Sequence, residues 1–447
     1  MDHVARLRHA ESIVKEEPDE ALKICNQILD KELDSDIGQM ALFLSGYIML
    51  SAERFGLAYQ IFKRCQQLRP NVGGIWLNMG MCLEQDFPER AIKCFEKALE
   101  LEKQNTNALA NLGLMAMRMG DPKKSIELSN RALQLDPNMI AAKYNRGLAY
   151  LMDKNWALGW ADYQQTLGVK SRQRRDYGLP EWNGEEETRV LVYAEQGIGD
   201  EVMFASCLRD LAKTNEIVFD CDSRLEGIFK QSFCFPVYGT RFKDSSPIMA
   251  ENKPEYQIAI GQLPCKYRLT DESFPGDAFL DSDFDRTIMW KALLENKADF
   301  SVGIAWTGGL PSTGEADRSL TLDDFNPILK HPFLKGANIV NLEYKPVDGK
   351  LMEEKGILNY PRAVLKGCDL QETFALINSL DLVICVPTAV MHFAGSLGRP
   401  CFVICPDRPP YIMGAKGNDF PWYKSVKLFR GKNAINDILE EVCLKFS

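Results

Sequence analysis

DLVICVPTAVMHFAGSLGRPCFVIC, residues 381 to 405, decides the fold class of the C-terminal part of this chain. The apolar run DLVICV predicts a buried strand, and Pro387 biases Val386 toward extended backbone. A helix then opens with Thr388 and carries His392 one turn on. The second apolar run, CFVIC at 401 to 405, predicts the next strand, so the stretch reads as a βαβ unit of a doubly wound parallel sheet. Such sheets take ligands at the carboxyl ends of their strands, and a helix start placed there suits phosphate. The plainer alternative is an α/β core in which Thr388 only caps its helix.

RVLVYAEQGIGDEVMFASCLRDL, residues 189 to 211, repeats the pattern earlier in the chain. A strand, VLVYA, feeds a turn containing Gly197 and Gly199, then Asp200, then a helix whose apolar face includes Val202, Phe204 and Leu208. It fails as a dinucleotide fingerprint because Val202 stands at the third glycine position. It offers an acidic side chain at a helix entrance, beside two glycines that let a substrate approach the backbone closely. Asp200 as a simple N-cap is the alternative.

The first third of the chain repeats itself. Gly46, Gly80, Gly113 and Gly147 stand 34, 33 and 34 residues apart, which matches the period of about 34 residues of the tetratricopeptide repeat, two antiparallel helices per unit. After Gly46 the second-helix positions fall at Ala58, Phe62, Cys65 and Pro70, and after Gly113 at Ser125, Ser129, Ala132 and Pro137. The unit from Trp76 to Glu102 fits with Ala91, Phe95 and Ala98, Tyr150 and Tyr163 mark a further unit, and a degenerate first unit ends around Ala21, Cys25 and Ile28. One helical hairpin does not bury its own apolar stripe, so several must stack. Residues 1–168 therefore read as about five such repeats forming an α-solenoid, with a linker at 169–187.

A chain of 447 residues has room for both regions, since a single core rarely exceeds about 250 to 300 residues. The net charge of −9 argues against nucleic acid as a partner. The local basic run Lys170, Arg172, Arg174 and Arg175 reads as a solvated linker. No run of about 18 apolar residues is present to span a membrane, and the charged start MDHVARLRHAESIVKEEPDE lacks the apolar core of a signal peptide. Thirteen cysteines are scattered singly without a CxxC pair, and the four histidines, His3, His9, His331 and His392, draw no zinc site. Reduced core thiols and a cytoplasmic location are expected.

EWNG (181–184), AEQGIGDEVMF (194–204), SVGIAWTG (301–308), DRSLTL (317–322), DLVICVPTAVMHFAGSLGRP (381–400) and PWYKSVKLFR (421–430) occur in that order. Together with the preceding repeats they resemble the bacterial tetratricopeptide-repeat glycosyltransferases, whose catalytic part is similar to heptosyltransferases and, more distantly, to O-GlcNAc transferase. The resemblance implies a GT-B architecture: an N-terminal, acceptor-side Rossmann-like domain over 188–296 and a C-terminal, nucleotide-sugar-binding one over 297–447 with a C-terminal helix. It implies Asp200 as the base that deprotonates an acceptor hydroxyl, with Gly197 and Gly199 in the acceptor-side loop. It places Thr388, Ala389 and His392 on the diphosphate of the donor, Thr307 and Gly308 in a second phosphate-side loop, Arg318 as a basic partner of the diphosphate, and Asp369 at a further acidic position.

The implied reaction is inverting and independent of metal or other cofactor, and the nucleotide-sugar is the donor substrate, its base unassigned. A protein or glycan is the implied acceptor, with the repeats holding acceptor, protein partner or a second copy of the chain. One departure stands out: the family turn reads Asp-Thr where this chain has Pro387-Thr388, so a carboxylate is missing. Pro suits the first turn of a helix, so the fold is expected to survive. That departure supports the alternative of a degenerate scaffold that binds nucleotide or protein without turnover. His392 has the alternative of a satisfied core histidine, and Trp306 reads as a strand-end aromatic lining the cleft. The irregular stretch GTRFKDSSPIMAENKPEY, within the acceptor-side domain, is where acceptor specificity is expected.

Overall fold

The computed structural model describes residues 3–169, 172–241, 245–309 and 315–446. They fall into two compact units, Met1–Arg146 and Gly147–Ser447. Lys170 of the basic run, and residues 242–244 of the irregular stretch, lie outside the described residues.

The first unit is helical. Helices α1 (His3–Ile13), α2 (Pro18–Glu32), α3 (Asp36–Ser51), α4 (Phe55–Leu68), α5 (Gly73–Leu83), α6 (Pro88–Leu101), α7 (Thr106–Arg118) and α8 (Pro122–Leu135) each pack against the next. Second helices α2, α6 and α8 start with proline, whose missing N–H costs nothing in a first turn. The Ser35, Asn105 and Asp121 side chains cap α3, α7 and α8. The periodic glycines let paired helices approach. A methyl group on Gly46 would lie 2.8 Å from the Phe62 ring, one on Gly80 2.4 Å from Phe95, and one on Gly113 3.1 Å from Ser129 Oγ. These second-helix residues are the ones the repeat offsets select, and all three are fully buried. Helix α9 (Ile140–Met152) and, in the second unit, α10 (Trp156–Gln164) continue the alternation.

The second unit holds two parallel sheets. One has four strands in the order β3-β2-β1-β4: β1 (Arg189–Tyr193), β2 (Glu216–Asp220), β3 (Val237–Tyr238) and β4 (Tyr256–Ala259). The other has six, ordered β10-β9-β8-β5-β6-β7: β5 (Ser301–Ala305), β6 (Asn338–Asn341), β7 (Ile357–Leu358), β8 (Leu382–Cys385), β9 (Cys401–Ile404) and β10 (Val426–Phe429). Apolar strands buried on both faces and paired in parallel, such as SVGIA and LVIC, are what the sequence runs predict. Helices α11 (Ile198–Ala205), α12 (Phe284–Glu295), α13 (Leu370–Asn378), α14 (Ala389–Ser396) and α15 (Ala434–Phe446) pack around them. Although α12 precedes β5, it packs on α13.

Two sequence expectations are corrected here. Arg172 is 1% exposed, not a solvated linker residue: it pairs with Glu195 at 3.4 Å and lies 3.9 Å over the Tyr163 ring. Arg175 likewise reaches Asp220, at 2.7 Å, while Arg174 fits the solvated reading. A run of spaced arginines looks solvated by composition, because the buried carboxylates that receive two of them lie tens of residues away. Trp306 lines no cleft; its ring packs on Phe325 in the core of the six-stranded sheet.

Candidate functional site

Each sheet reverses its winding once, β1 beside β4 in the first and β5 beside β8 in the second. At such a switch point the flanking loops diverge and leave a crevice at the carboxyl ends of the strands. The turn after β1 carries Gly197, Gly199 and Asp200; the loop after β5 carries Thr307 and Gly308; the turn after β8 carries Pro387 and Thr388. Sequence-selected residues from both sheets meet here, because α11 and α14 pack together near their N-termini. A methyl group on Gly199 would lie 3.1 Å from His392 Cδ2 and 3.5 Å from Ala389 Cα. The space beside Gly199 is therefore filled by protein and is not left for a substrate. Gly197 is the open one, exposed as the N-cap of α11.

Asp200 stands in the first turn of α11. Its surface is partly open, yet enough protein surrounds the carboxyl to raise its pKa to about 6. Burial is the main cause, the Arg318 charge opposes it, and the Glu195 charge adds to it. Arg318 is half-buried, and among the described residues its guanidinium has no hydrogen bond or ion pair. Burial lowers its pKa and Asp200 opposes the fall. Gly308 lets Arg318 pack close to the turn after β8, the strand beside β5 in the same sheet, since a methyl there would lie 3.2 Å from Arg318 Cβ and 2.5 Å from the Pro387 carbonyl oxygen.

Thr388 occupies the N-cap position of α14 but its side chain makes no capping hydrogen bond. The first N–H groups of a helix have no partner within it, so a half-exposed helix start, its Thr388 hydroxyl without a hydrogen bond among the described residues, lies at the carboxyl end of β8. Pro387 precedes the N-cap and lies outside the first turn, where the sequence reading had put it. His392 is 6% exposed, its Nδ1 is 3.3 Å from Tyr423 Oη, and burial depresses its pKa to about 3. It brings no positive charge to this site at neutral pH.

Thr307 and Gly308 shape the site without offering spare backbone donors. Thr307 N–H donates to Glu343 Oε2 at 2.8 Å, its hydroxyl also bonds Glu343, and Gly308 N–H donates to Ser319 Oγ at 3.1 Å. Asp369 has partners of its own. It caps α13 through Gln371 N–H and receives Arg286 Nη1 at 2.6 Å, which holds its pKa low against burial. Among the described residues no cluster of three or more His, Cys, Asp or Glu side chains is arranged to hold a metal ion. None of the thirteen cysteines forms a disulfide.

Four site residues escaped the sequence reading. Glu343 follows β6 and fixes the Thr307 loop. Glu195, fully buried, accepts from Gly261 N–H, Gln196 and Arg172 immediately ahead of the Gly197 turn. Glu201, next to Asp200, is bonded by Asp222 N–H and Arg241, and burial raises its pKa to about 8. Tyr423, in the quoted PWYKSVKLFR stretch, is fully buried against His392. A carboxylate just after an apolar strand was the available signal for Glu195 and Glu343.

The tetratricopeptide repeat model matches residues 106–139, the segment that forms α7 and α8. Over 400 residues the chain is 25% identical to Protein FlbA of Caulobacter vibrioides, covering 83% of this chain and 66% of that protein. It is 26% identical over 107 residues to the human Protein O-mannosyl-transferase TMTC3, 24% of this chain and 12% of that one. The chain thus spans just under two thirds of the first relative and a small part of the second. A solved glycosyl transferase family 9 structure from Veillonella parvula aligns with 58% of this chain and 92% of its own, at 13% identity and a TM-score of 0.41. Among the described residues no helix is long and apolar enough to cross a membrane. In chain order, the protein is a series of tetratricopeptide-type helical hairpins followed by a parallel-sheet α/β region.

Proposed function

We propose that the second unit is a GT-B glycosyltransferase that moves a sugar from a nucleotide-sugar to an acceptor hydroxyl with inversion. The observation that carries this reading is Arg318, a half-buried cation that makes no hydrogen bond or ion pair among the described residues and has only the nearby Asp200 and Asp317 charges to offset it, packed beside Gly308 near the start of α14. A buried charge of this kind calls for an anionic partner, and a diphosphate also suits the free N–H groups at Thr388 and Ala389. Asp200 is the base. It takes the acceptor proton as the acceptor oxygen bonds the anomeric carbon, while the bond from that carbon to the diphosphate oxygen breaks and its electron pair leaves with the nucleoside diphosphate. A pKa near 6 suits a carboxylate that must be ionised yet basic at neutral pH.

The helical repeats serve an acceptor protein or another protein partner, and thiols that form no disulfide suit a reducing, cytoplasmic setting. Pro387, in place of a carboxylate, favours a second reading in which the site binds nucleotide without turnover. The two are separated by assaying sugar transfer and nucleotide binding together. Transfer that disappears in Asp200→Asn while nucleotide affinity stays supports the enzyme. Binding without transfer, in wild type and variant alike, supports the scaffold.

A further inference from the structure

We propose that Tyr423 is a positioning residue that donates its hydroxyl proton to His392 Nδ1 and thereby fixes His392 as an uncharged Nε2–H donor at the start of α14. The inference rests on the reading of that helix start as a diphosphate site and names how one further side chain serves it.

Tyr423 Oη lies 3.3 Å from His392 Nδ1, and both side chains are more than nine-tenths buried. A buried phenol must place its proton on an acceptor, and among the described residues Nδ1 is the acceptor it has. If Nδ1 carried the ring proton instead, the Tyr423 proton would face a donor and remain unpaired. Neutral imidazole holds one proton, so Nδ1 as acceptor leaves that proton on Nε2. Burial keeps the ring neutral at physiological pH.

Nε2 is the atom left over. It has no protein partner among the described residues, yet it is absent from the buried polar atoms that lack one, so solvent reaches it. It adjoins Cδ2, the ring atom that packs beside Gly199 and Ala389. An N–H there adds one more donor for an oxyanion to the backbone N–H groups of the first turn. The division of labour is then plain: Arg318 supplies charge, and the α14 turn with His392 supplies neutral donors that fix phosphate orientation. Tyr423 is itself locked by packing, because its ring lies where a side chain on Gly395 would sit, 2.4 Å away, stacks near Phe279 and meets Phe420 at a tilt. Tyr423→Phe keeps that packing and removes only the hydroxyl.

The test is ring ¹⁵N NMR of the full chain labelled at histidine, with His392→Gln assigning the signal among the four histidines, paired with titration of inorganic pyrophosphate. Wild type is expected to show His392 protonated at Nε2 and bare at Nδ1. Tyr423→Phe is expected to lose that fixed tautomer and to bind pyrophosphate roughly three- to tenfold more weakly, the loss of part of one hydrogen bond to a charged group, while still folding, at some loss of stability for the buried Nδ1 left without its donor. A wild-type His392 protonated at Nδ1 overturns the proposal, as does a Tyr423→Phe protein with unaltered tautomer and pyrophosphate affinity. Neither readout uses turnover, so failure to find sugar transfer counts against the proposed reaction alone.

Discussion

Gly199 and His392 are in contact across the two sheets' switch points, with only 3.1 Å between the ring and the place a Gly199 methyl would occupy. That contact makes one site of two helix starts separated by nearly two hundred residues. Gly199→Ala must push α11 from α14 by a few tenths of an ångström. The expected outcome is a fold retained at a cost of about 1–3 kcal/mol and a clear loss of nucleotide affinity. Gly197→Ala, whose methyl meets Asp200 Oδ2 at an ordinary 3.4 Å and whose φ is −70°, is expected to fold normally. Calorimetric titration of both variants checks the contrast, and equal affinity in the two would argue against it.

Asp200→Asn is expected to stabilise the protein while abolishing transfer. The folded-state pKa of about 6 lies above the ordinary 3.8, so burial favours the protonated carboxyl. The stability this brings is complete below pH 4 and is lost as pH rises through 6. Above that pH the ionised group costs up to about 3 kcal/mol, which Asn removes. Thermal unfolding of both proteins is expected to diverge above pH 6 and coincide near pH 4. A variant less stable at pH 8 would mark Asp200 as a helix cap instead.

Arg172→Met leaves Glu195 buried without its cation, an arrangement that typically costs about 3–5 kcal/mol. Adding Glu195→Gln is expected to recover most of that loss in urea unfolding. Glu195→Gln alone has a second signature. Asp200 is faced by Arg318, Glu195, Arg241, the Gly197 backbone and Tyr423, and the Glu195 charge is the carboxylate that raises its pKa. Removing that charge is expected to move the acid limb of kcat/KM to lower pH.

Within the repeats, Gly80→Ala sets a methyl 2.4 Å from Phe95 and is expected to cost about 1–3 kcal/mol. Ser125→Ala is expected to stabilise, by about 1 kcal/mol, because the buried Ser125 hydroxyl has no hydrogen-bond partner among the described residues. Denaturant unfolding of the two variants is expected to shift in opposite directions.

The repeat was legible because it rests on small residues at fixed spacing: Gly46 and Phe62, or Gly80 and Phe95, meet within one hairpin and so leave a local trace. The parallel strands were legible from apolar runs such as LVIC, which only burial on both faces explains. The positions of Asp200 and Thr388 followed from strand-end motifs, that of Arg318 only from the family resemblance, and the structure sets Arg318 beside Asp200 and the Gly308 loop. What stayed hidden depends on partners distant in sequence. Arg172 looked solvated because its carboxylate lies 23 residues on, in a different element. Thr307 looked like a free phosphate ligand because Glu343, 36 residues away, takes its N–H. Asp369 looked like part of the site, whereas Arg286 and the α13 N-terminus occupy its carboxylate.

The most direct measurement is a thermal-shift series with UDP, GDP, ADP, CDP and dTDP on wild type, Thr388→Val and Arg318→Met. One nucleotide at about 100 times its dissociation constant is expected to stabilise wild type by roughly 2.7 kcal/mol, and both variants are expected to lose most of that gain. No shift with any nucleotide, or a shift that survives both substitutions, would contradict a diphosphate site at the start of α14.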